Sequence, residues 1–538
     1  MAGLAASFGS GAMTNSIDEL EFTDLILATG TNTTENHPVI GIKVKRAVRQ
    51  QGTKLIVIDP REIDLVKYAD IWLRQKPGTD VAVFNGLMNV IISENLYAKE
   101  YVAERTEGFD ALKATVAKYT PEYVEKISGV PAEDLKKAAR MYAQAKRASI
   151  IYAMGLTQHI SGTDNVKTIA NISMLCGNIG IEGGGVNPLR GQNNVQGACD
   201  MGGLPNVFPA YQQVANEDAR KKFETVWNAP LSDKPGLTVV EMMNAAGRGD
   251  IKAIYIMGEN PLLSDPDLHH VKKELQKLDL LIVQDIFLTE TAELADIVLP
   301  SASFAEKDGT FTNTERRVQR IRKIVDAPGE AKADWEIICG LSTQMGYPMK
   351  YASAKEIFEE IVTVTPSYAG ISYKRLDKEG LQWPCPTAEH DGTKFLHKDR
   401  FSRGLGLFHA IEYIPPNELT DKEYPLILST GRVLYHYHTG TMTRRSLGPN
   451  ERCPESLMEI NPADAVKFGI NEDQMVKVTS RRGTVEAKAQ ITEKSPQGTI
   501  FMNFHFAEAA VNLLTNPALD PTGKIPEYKV CAVKLEAA

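Results

Sequence analysis

Apolar runs closed by glycine turns follow one plan along this chain, and the plan is used twice. Asp24-Leu-Ile-Leu-Ala-Thr-Gly30-Thr-Asn32 is a continuous apolar segment ending in a Gly-x-Asn turn, and a helical pattern runs from Pro38 to about Gln51. Lys54-Leu-Ile-Val-Ile-Asp59-Pro-Arg61 is a second apolar run ending in an acid; a short helix and Ala69-Asp70-Ile-Trp-Leu follow. The same order returns in Ala253-Ile-Tyr-Ile-Met-Gly258-Glu-Asn260-Pro261, a helix near 266–277, Leu280-Leu-Ile-Val-Gln-Asp285, Thr289-Glu-Thr and Ala295-Asp296-Ile-Val-Leu. Asn32 and Asp59 are 27 residues apart and Asn260 and Asp285 are 25 apart; both acids are followed 11 residues later by another Asp. Runs apolar at every position predict strands buried on both faces, and each repeat predicts a βαβ unit of a parallel sheet.

Such units place their ligand at the carboxyl ends of the strands. The glycine turn lets a phosphate approach backbone N–H groups and a helix N-terminus. An acid ending the next strand accepts hydrogen bonds from a ribose or a guanine edge. Two copies predict two such sites related by a pseudo-twofold. Many α/β domains carry a glycine turn and a strand-end acid and bind nothing there, and neither copy has the G-x-G-x-x-G fingerprint of nicotinamide sites.

Between the repeats, helices are expected over 79–93, 97–118, 120–128, 131–146 and 163–176. The strand Ser149–Met154 is expected to end in a turn, Gly155-Leu-Thr-Gln158. From about 424 the texture changes to short alternating segments: Pro425–Thr430, Met475–Ser480, Thr484–Ile491 and Thr499–Phe504, with a helix at Pro462–Phe468. That predicts a small β-barrel. Residues 365–405 read as a linker. The fold class expected is α/β, with two pseudo-symmetric parallel-sheet dinucleotide-binding domains (1–192 and 193–400, exchanging segments) and a C-terminal β-barrel (405–538).

The 538 residues are 43% apolar and 24% charged with net charge −8, a soluble-type composition that disfavours non-specific nucleic-acid binding. No apolar stretch approaches the ~18 residues of a membrane span. The start, Met1-Ala-Gly-Leu-Ala-Ala-Ser-Phe-Gly-Ser-Gly, has no basic signal-peptide region. The six cysteines are far apart, none in a CxxC pair, as expected of reduced thiols in a cytoplasmic protein.

Residues 187–202, Asn-Pro-Leu-Arg-Gly-Gln-Asn-Asn-Val-Gln-Gly-Ala-Cys-Asp-Met-Gly, fit no helix or strand period. Arg190 precedes four amides, Gln192, Asn193, Asn194 and Gln196. One reading is a polar pocket loop with Arg190 as a fork for a small anion; the other is a structural arginine tied to carbonyls. Residues 303–320, with Arg316 and Arg317, read as a solvated hairpin or as a phosphate- or pterin-facing loop. His436 and His438, two apart, would share a strand face, as ligand contacts or as satisfied core histidines.

These motifs resemble the catalytic subunit of molybdenum or tungsten formate dehydrogenases, in the molybdopterin (dimethyl-sulfoxide-reductase-type) oxidoreductases. The carriers are Gly-x-Asn…His-Pro at 30–38, Ile-Asp-Pro-Arg at 58–61, Pro-Gly-Thr-Asp at 77–80 and Met-Gly-Leu-Thr-Gln at 154–158. Further carriers are Arg-Gly-Gln-Asn-Asn-Val-Gln-Gly at 190–197, Met-Gly-Glu-Asn-Pro at 257–261, Gln-Asp-Ile-Phe at 284–287, Gly-Thr-Phe-Thr-Asn-Thr-Glu-Arg-Arg at 309–317 and Pro-Glu-Tyr-Lys at 526–529. The resemblance implies bis-molybdopterin guanine dinucleotide with Mo or W. One nucleotide would use Gly30, Asn32, Asp59, Arg61, Gly78, Asp80, Gly155 and Gln158, and the other Gly258, Asn260, Asp285 and Thr289. The barrel would contribute Arg432, His436, Asn512, Tyr528 and Lys529. Arg190 and Gln192 would act on formate as it becomes carbon dioxide.

Family members begin with a [4Fe–4S] domain and a Cys or selenocysteine metal ligand followed by His, just before an Ala-Gly-Leu like Ala2-Gly3-Leu4. This sequence carries none of those, so no metal-ligating residue is assigned in it. An interrupted selenocysteine reading frame, a subunit made of two polypeptides, or a deletion each accounts for that. The implied partners are the missing N-terminal segment and iron–sulfur, NAD-reducing or hydrogenase-type electron-transfer subunits. The alternatives are a nitrate-reductase-like enzyme and a non-catalytic nucleotide-binding scaffold.

Overall fold

The first set of apolar runs forms a parallel sheet buried on both faces. In the computed structural model, which describes residues 1–538, strands β1 (Leu25–Thr29), β2 (Lys54–Ile58), β3 (Ile71–Leu73), β4 (Ala148–Tyr152) and β5 (Val186–Pro188) lie in the order β3-β2-β1-β4-β5. Leu25, Leu27, Ile56, Ile58 and Ile150 share one core with residues of helices α2 (Asp80–Ser93), α3 (Ala132–Gln144) and α4 (Gly162–Leu175). Ile26, Ala28, Leu55, Val57 and Ile151 share another with Ile40 and Val44 of α1 (Pro38–Arg46). Each fully buried Leu or Ile contributes roughly 1.5–3 kcal/mol, so the doubly covered sheet is the anchor of this part. The helix expected over 97–118 is broken into Lys99–Arg105 and Phe109–Val116, because Gly108 takes φ +82° and caps the second piece.

The chain divides into two compact units: residues 1–191, 266–269 and 395–538, and residues 192–265 and 270–394. In the second unit, α5 (Val195–Asp200) corrects the expectation of an irregular loop; it starts at Asn194, whose φ is +62°. Also here are α6 (Val239–Arg248) and most of α7 (Leu268–Leu275). Strands β6 (Ala253–Met257), β7 (Leu280–Asp285) and β8 (Ile297–Pro300) form a parallel sheet in the order β8-β7-β6.

The duplication is present at the level of single hydrogen bonds. The carboxylate of Asp70 accepts from Leu55 N at 2.9 Å, and that of Asp296 from Leu281 N at 2.7 Å. Gly30 N donates to Ile58 O at 3.2 Å, and Gly258 N to Gln284 O at 2.8 Å.

Strands β9 (Gly309–Thr312) and β10 (Arg317–Ile321) make the expected hairpin, but not a solvated one. Arg316 is fully buried and donates to the carbonyls of Trp383, Thr393 and Lys394. The stretch read as a linker is packed where it meets this arginine: Trp383 and Cys385 are buried.

In the first unit, β11 (Leu426–Gly431), β12 (Leu457–Ile460), β13 (Met475–Thr479), β14 (Thr484–Ile491), β15 (Thr499–Asn503) and β16 (Cys531–Ala537) close a barrel in the order β11-β15-β12-β14-β13-β16. The inserted helix Pro462–Phe468 is capped by the Asn461 side chain, as its sequence suits. No helix is long and apolar enough to cross a membrane.

Candidate functional site

A cleft with a cavity volume of about 110 Å³ opens at the carboxyl ends of β1 and β2, between the sheet and the barrel of the first unit. Nine residues singled out from sequence line it: Gly30, Asn32, Asp59, Arg61, Gly78, Asp80, Gly155, Arg432 and Lys529. The close approach of two turns requires the glycine at 30. Its φ is +54°, Gly155 N donates to its carbonyl at 3.0 Å, and a Cβ there would stand 2.2 Å from Leu156 N.

Burial shifts the pKa values of Asp59, Asp80 and Lys529 in the cleft, whereas Arg61 is held in an ion pair. Asp59 ends β2 and accepts from Arg61 N at 2.9 Å; burial pushes its pKa up to about 6. Asp80, the first residue of α2, accepts from Gln75 Nε2 at 3.2 Å, and burial pushes it up to about 7. Burial, followed by the Arg432 charge, pulls Lys529 down to about 8, and its Nζ donates to Thr430 O. Arg61 donates through Nε and Nη2 to both oxygens of Glu459 on β12 and lies 4.2 Å from the Phe501 ring centroid. That buried bidentate pair ties the barrel to the end of β2.

Four side-chain atoms lining the cleft are buried without a hydrogen-bond partner: Asn32 Oδ1, Asn36 Oδ1, Gln75 Oε1 and His159 Nδ1. Buried polar atoms are rarely left so unless a ligand completes them. Cations at Arg61, Arg432 and Lys529 suit phosphates, and the acids and amides suit donors on a base or pterin edge. These residues fit a pterin dinucleotide.

Sequence reasoning missed Gln75, His159, Ser495 and Phe501, which line the same cleft. His159 lies one residue beyond the expected Gln158; its Nε2 bonds Gly155 O at 3.0 Å, and burial lowers its pKa to about 4. Gln158 does not line the cleft, nor do His436, Asn512 and Tyr528. His436 is buried, with Nδ1 on Thr443 Oγ1 and Nε2 on Cys453 O, so the satisfied-core reading describes it. Its segment is not a strand, and His438 has φ +49°, so the two histidines do not share a strand face. Asn512 is buried beside Thr515, and Tyr528 presents its carbonyl to Thr430.

Arg190 stands at the end of the first unit, and its carbonyl is 2.9 Å from His37 Nε2. Burial lowers the His37 pKa to about 4, so the ring is neutral near pH 7 and donates Nε2–H to that carbonyl. The neighbouring Gly191 lies against the Arg432 guanidinium, 2.8 Å from where its Cβ would stand. Gln192 begins the second unit.

In the second unit, Gly258, Asn260, Asp285 and Thr289 gather at the carboxyl ends of β6 and β7. Asn260 Oδ1 accepts from Thr291 Oγ1 at 2.7 Å, Thr289 Oγ1 accepts from Ala292 N at 3.2 Å, and Asp285 Oδ1 accepts from Ile286 N at 2.7 Å. Gln196, expected as a pocket amide, is instead buried and bonded to Asp200 and Tyr211.

A duplicated βαβ frame with nucleotide-type turns and a barrel against the first of them defines a dinucleotide-cofactor protein. The molybdopterin oxidoreductase family matches residues 4–344, the molydopterin dinucleotide binding domain matches residues 426–532, and the chain belongs to this family. It is 56% identical to the F420-dependent formate dehydrogenase subunit alpha of Methanocaldococcus jannaschii, over 99% of this chain and 79% of that protein. It is 42% identical to formate dehydrogenase H of Escherichia coli K12, over 100% of this chain and 76% of the relative. Its fold is that of acetylene hydratase from Pelobacter acetylenicus, with TM-score 0.78 at 22% identity, over all of this chain and 80% of that one.

Proposed function

We infer that this chain is the cofactor-holding catalytic part of a formate dehydrogenase alpha subunit, oxidising formate to carbon dioxide. The observation that carries the reading is end-to-end similarity to formate dehydrogenase subunits, spanning the Arg190 segment and every lining residue of the cleft. A bis-molybdopterin guanine dinucleotide with Mo or W supplies the two-electron redox centre when bound.

Asp59, Asp80, Arg61, Arg432 and Lys529 hold one nucleotide, with Gly30, Gly78 and Gly155 allowing close backbone approach. Gly258, Asn260, Asp285 and Thr289 serve the other. Arg190 receives the formate carboxylate bidentately and orients its C–H, and Gln192 positions the substrate alongside. The neutral His37 fixes the backbone from which Arg190 projects. A [4Fe–4S] cluster would supply the electron exit, with iron–sulfur, NAD-reducing or hydrogenase-type subunits as partners, in the cytoplasm.

Arg190→Lys, in the enzyme completed with the rest of its subunit, keeps the charge and loses the planar fork. The expected result is a fall in formate kcat/KM of at least ~10-fold, with metal and pterin content near wild type. Unchanged kcat/KM returns Arg190 to a structural role; nitrate reduction with no formate oxidation favours a nitrate-reductase-like enzyme.

A further inference from the structure

Two residues after Gln192 the backbone turns through Asn194, whose φ of +62° lies in the left-handed region. That conformation is uncommon outside glycine, and asparagine adopts it more readily than most residues. Strain of this kind persists only where the surroundings hold it, and it concentrates at functional sites.

The surroundings here are specific. Asn194 Oδ1 accepts from Thr312 N, at the end of β9, at 3.0 Å. Gly197, on the first turn of α5, makes room for that contact: a Cβ there would run into Asn194 Oδ1 and stand 3.3 Å from Thr312 N. Thr312 is held in turn. Its Oγ1 is 2.9 Å from Tyr368 OH, and that hydroxyl donates its proton to Asp200 Oδ2 at 2.6 Å, so Thr312 Oγ1 is the donor to Tyr368. Asp200 is the last residue of α5 and also accepts from Gln196, Tyr211 and Trp383.

A closed circuit therefore runs from Asn194 through Thr312, Tyr368 and Asp200 and returns along α5, all within the second unit. The short helix is gripped at both ends, so the residues before it leave a fixed point in a fixed direction. Of the four amides that follow Arg190, Asn194 and Gln196 belong to this scaffold, and Gln192 and Asn193 precede the turn.

We propose that Asn194 is a positioning residue for formate: its side-chain oxygen, locked by Thr312 N, holds the left-handed turn that aims Gln192 at the substrate. This rests on the reading of Arg190 and Gln192 as substrate residues and deepens it. Arg190 supplies charge and affinity, and Gln192 sets the direction in which the C–H points. A relaxed turn leaves formate bound but spread over several orientations, and rates fall steeply when reacting atoms are misplaced by about 1 Å. The loss therefore falls on kcat rather than on KM.

The test uses the enzyme completed with the rest of its subunit. Asn194→Gly keeps the left-handed φ and removes the acceptor; Asn194→Asp keeps both; Gly197→Ala displaces the acceptor with Asn194 in place. Asn194→Gly and Gly197→Ala are expected to lower kcat per bound metal at least ~10-fold, with the formate KM within ~3-fold of wild type. Asn194→Asp keeps kcat within ~3-fold. In the 538-residue chain, hydrogen exchange at the Thr312 amide quickens in Asn194→Gly and not in Asn194→Asp. Wild-type kcat in Asn194→Gly, a loss that Asn194→Asp does not rescue, or a raised KM at unchanged kcat overturns the proposal. Faster Thr312 exchange with normal kinetics makes the contact a scaffold bond only and overturns it too. Arg190→Lys is measured alongside: unchanged kcat/KM there fails the reading of this segment as the formate site, whereas its fall together with wild-type kinetics in Asn194→Gly fails the positioning role alone.

Discussion

Replacing Asp200 with asparagine should loosen the second unit by about 3–5 kcal/mol. Asp200 is 1% exposed, and no lysine, arginine or histidine pairs with it. Its Oδ1 accepts from Gln196 Nε2 at 2.8 Å and Tyr211 OH at 2.7 Å; its Oδ2 accepts from Tyr368 OH at 2.6 Å and Trp383 Nε1 at 2.7 Å. Burial raises the carboxyl pKa, and the four donors oppose it. Asn keeps one acceptor oxygen and turns the other into an NH₂ that faces two donors. Two charge-assisted bonds, worth about 1.5–3 kcal/mol each, are lost and the other two become neutral bonds of about 0.5–1.5 kcal/mol, while the burial cost of the carboxylate charge is relieved, which brings the net loss down to about 3–5 kcal/mol. The assay is urea unfolding followed by tryptophan fluorescence, because the Trp383 indole N–H is one of the four donors and its emission reports the site directly. Hydrogen exchange at residues 368 and 383 localises the loss. A shift below about 1 kcal/mol would refute the reasoning, since it would mean that the four donors find other acceptors at little cost. The stake is functional as well: Asp200 closes the short helix that follows Gln192.

Lys529 has a folded pKa near 8 against 10.5 when free, so between those values the unfolded chain binds more protons and stability rises with pH, by up to about 3 kcal/mol. Unfolding midpoints measured from pH 7 to 10.5 should show that rise in wild type and not in Lys529→Met; equal profiles reject the buried charge. Asp59→Ala and Asp285→Ala, in the completed enzyme, should each weaken one guanine nucleotide by about 1.5–3 kcal/mol, read as guanine released by acid from folded protein; full content in both rejects two sites. Gly30→Ala forces a Cβ to 2.2 Å from Leu156 N at φ +54° and should cost about 3–5 kcal/mol. Gly258→Ala meets nothing within 4 Å in this chain and should cost only about 1–2 kcal/mol; equal losses in urea melts would contradict the difference between the repeats.

What the sequence determined by itself was local. Unbroken apolar runs ending in glycine or aspartate marked the strands of both sheets, because burial on both faces leaves no polar alternation. The repeat from Asp24 and that from Ala253 were legible because a βαβ turn demands its glycine and acid at fixed spacing. Most of the cleft was legible for the same reason: Gly30, Asp59, Gly78 and Asp80 lie at strand and helix ends. Tertiary structure alone decided the rest. Whether a polar side chain faces a ligand or the core depends on partners far away in sequence. Arg316 was open to phosphate until the carbonyls of Trp383, Thr393 and Lys394 closed around it, and Gln196 until Asp200 took its amide. His436 was resolved by Cys453, and Glu459, which no motif marked, holds Arg61 from the barrel. The free edge of β6 is the clearest case. Its apolar residues look in sequence like those of β1, and only the fold shows that one set has a neighbouring strand and the other does not.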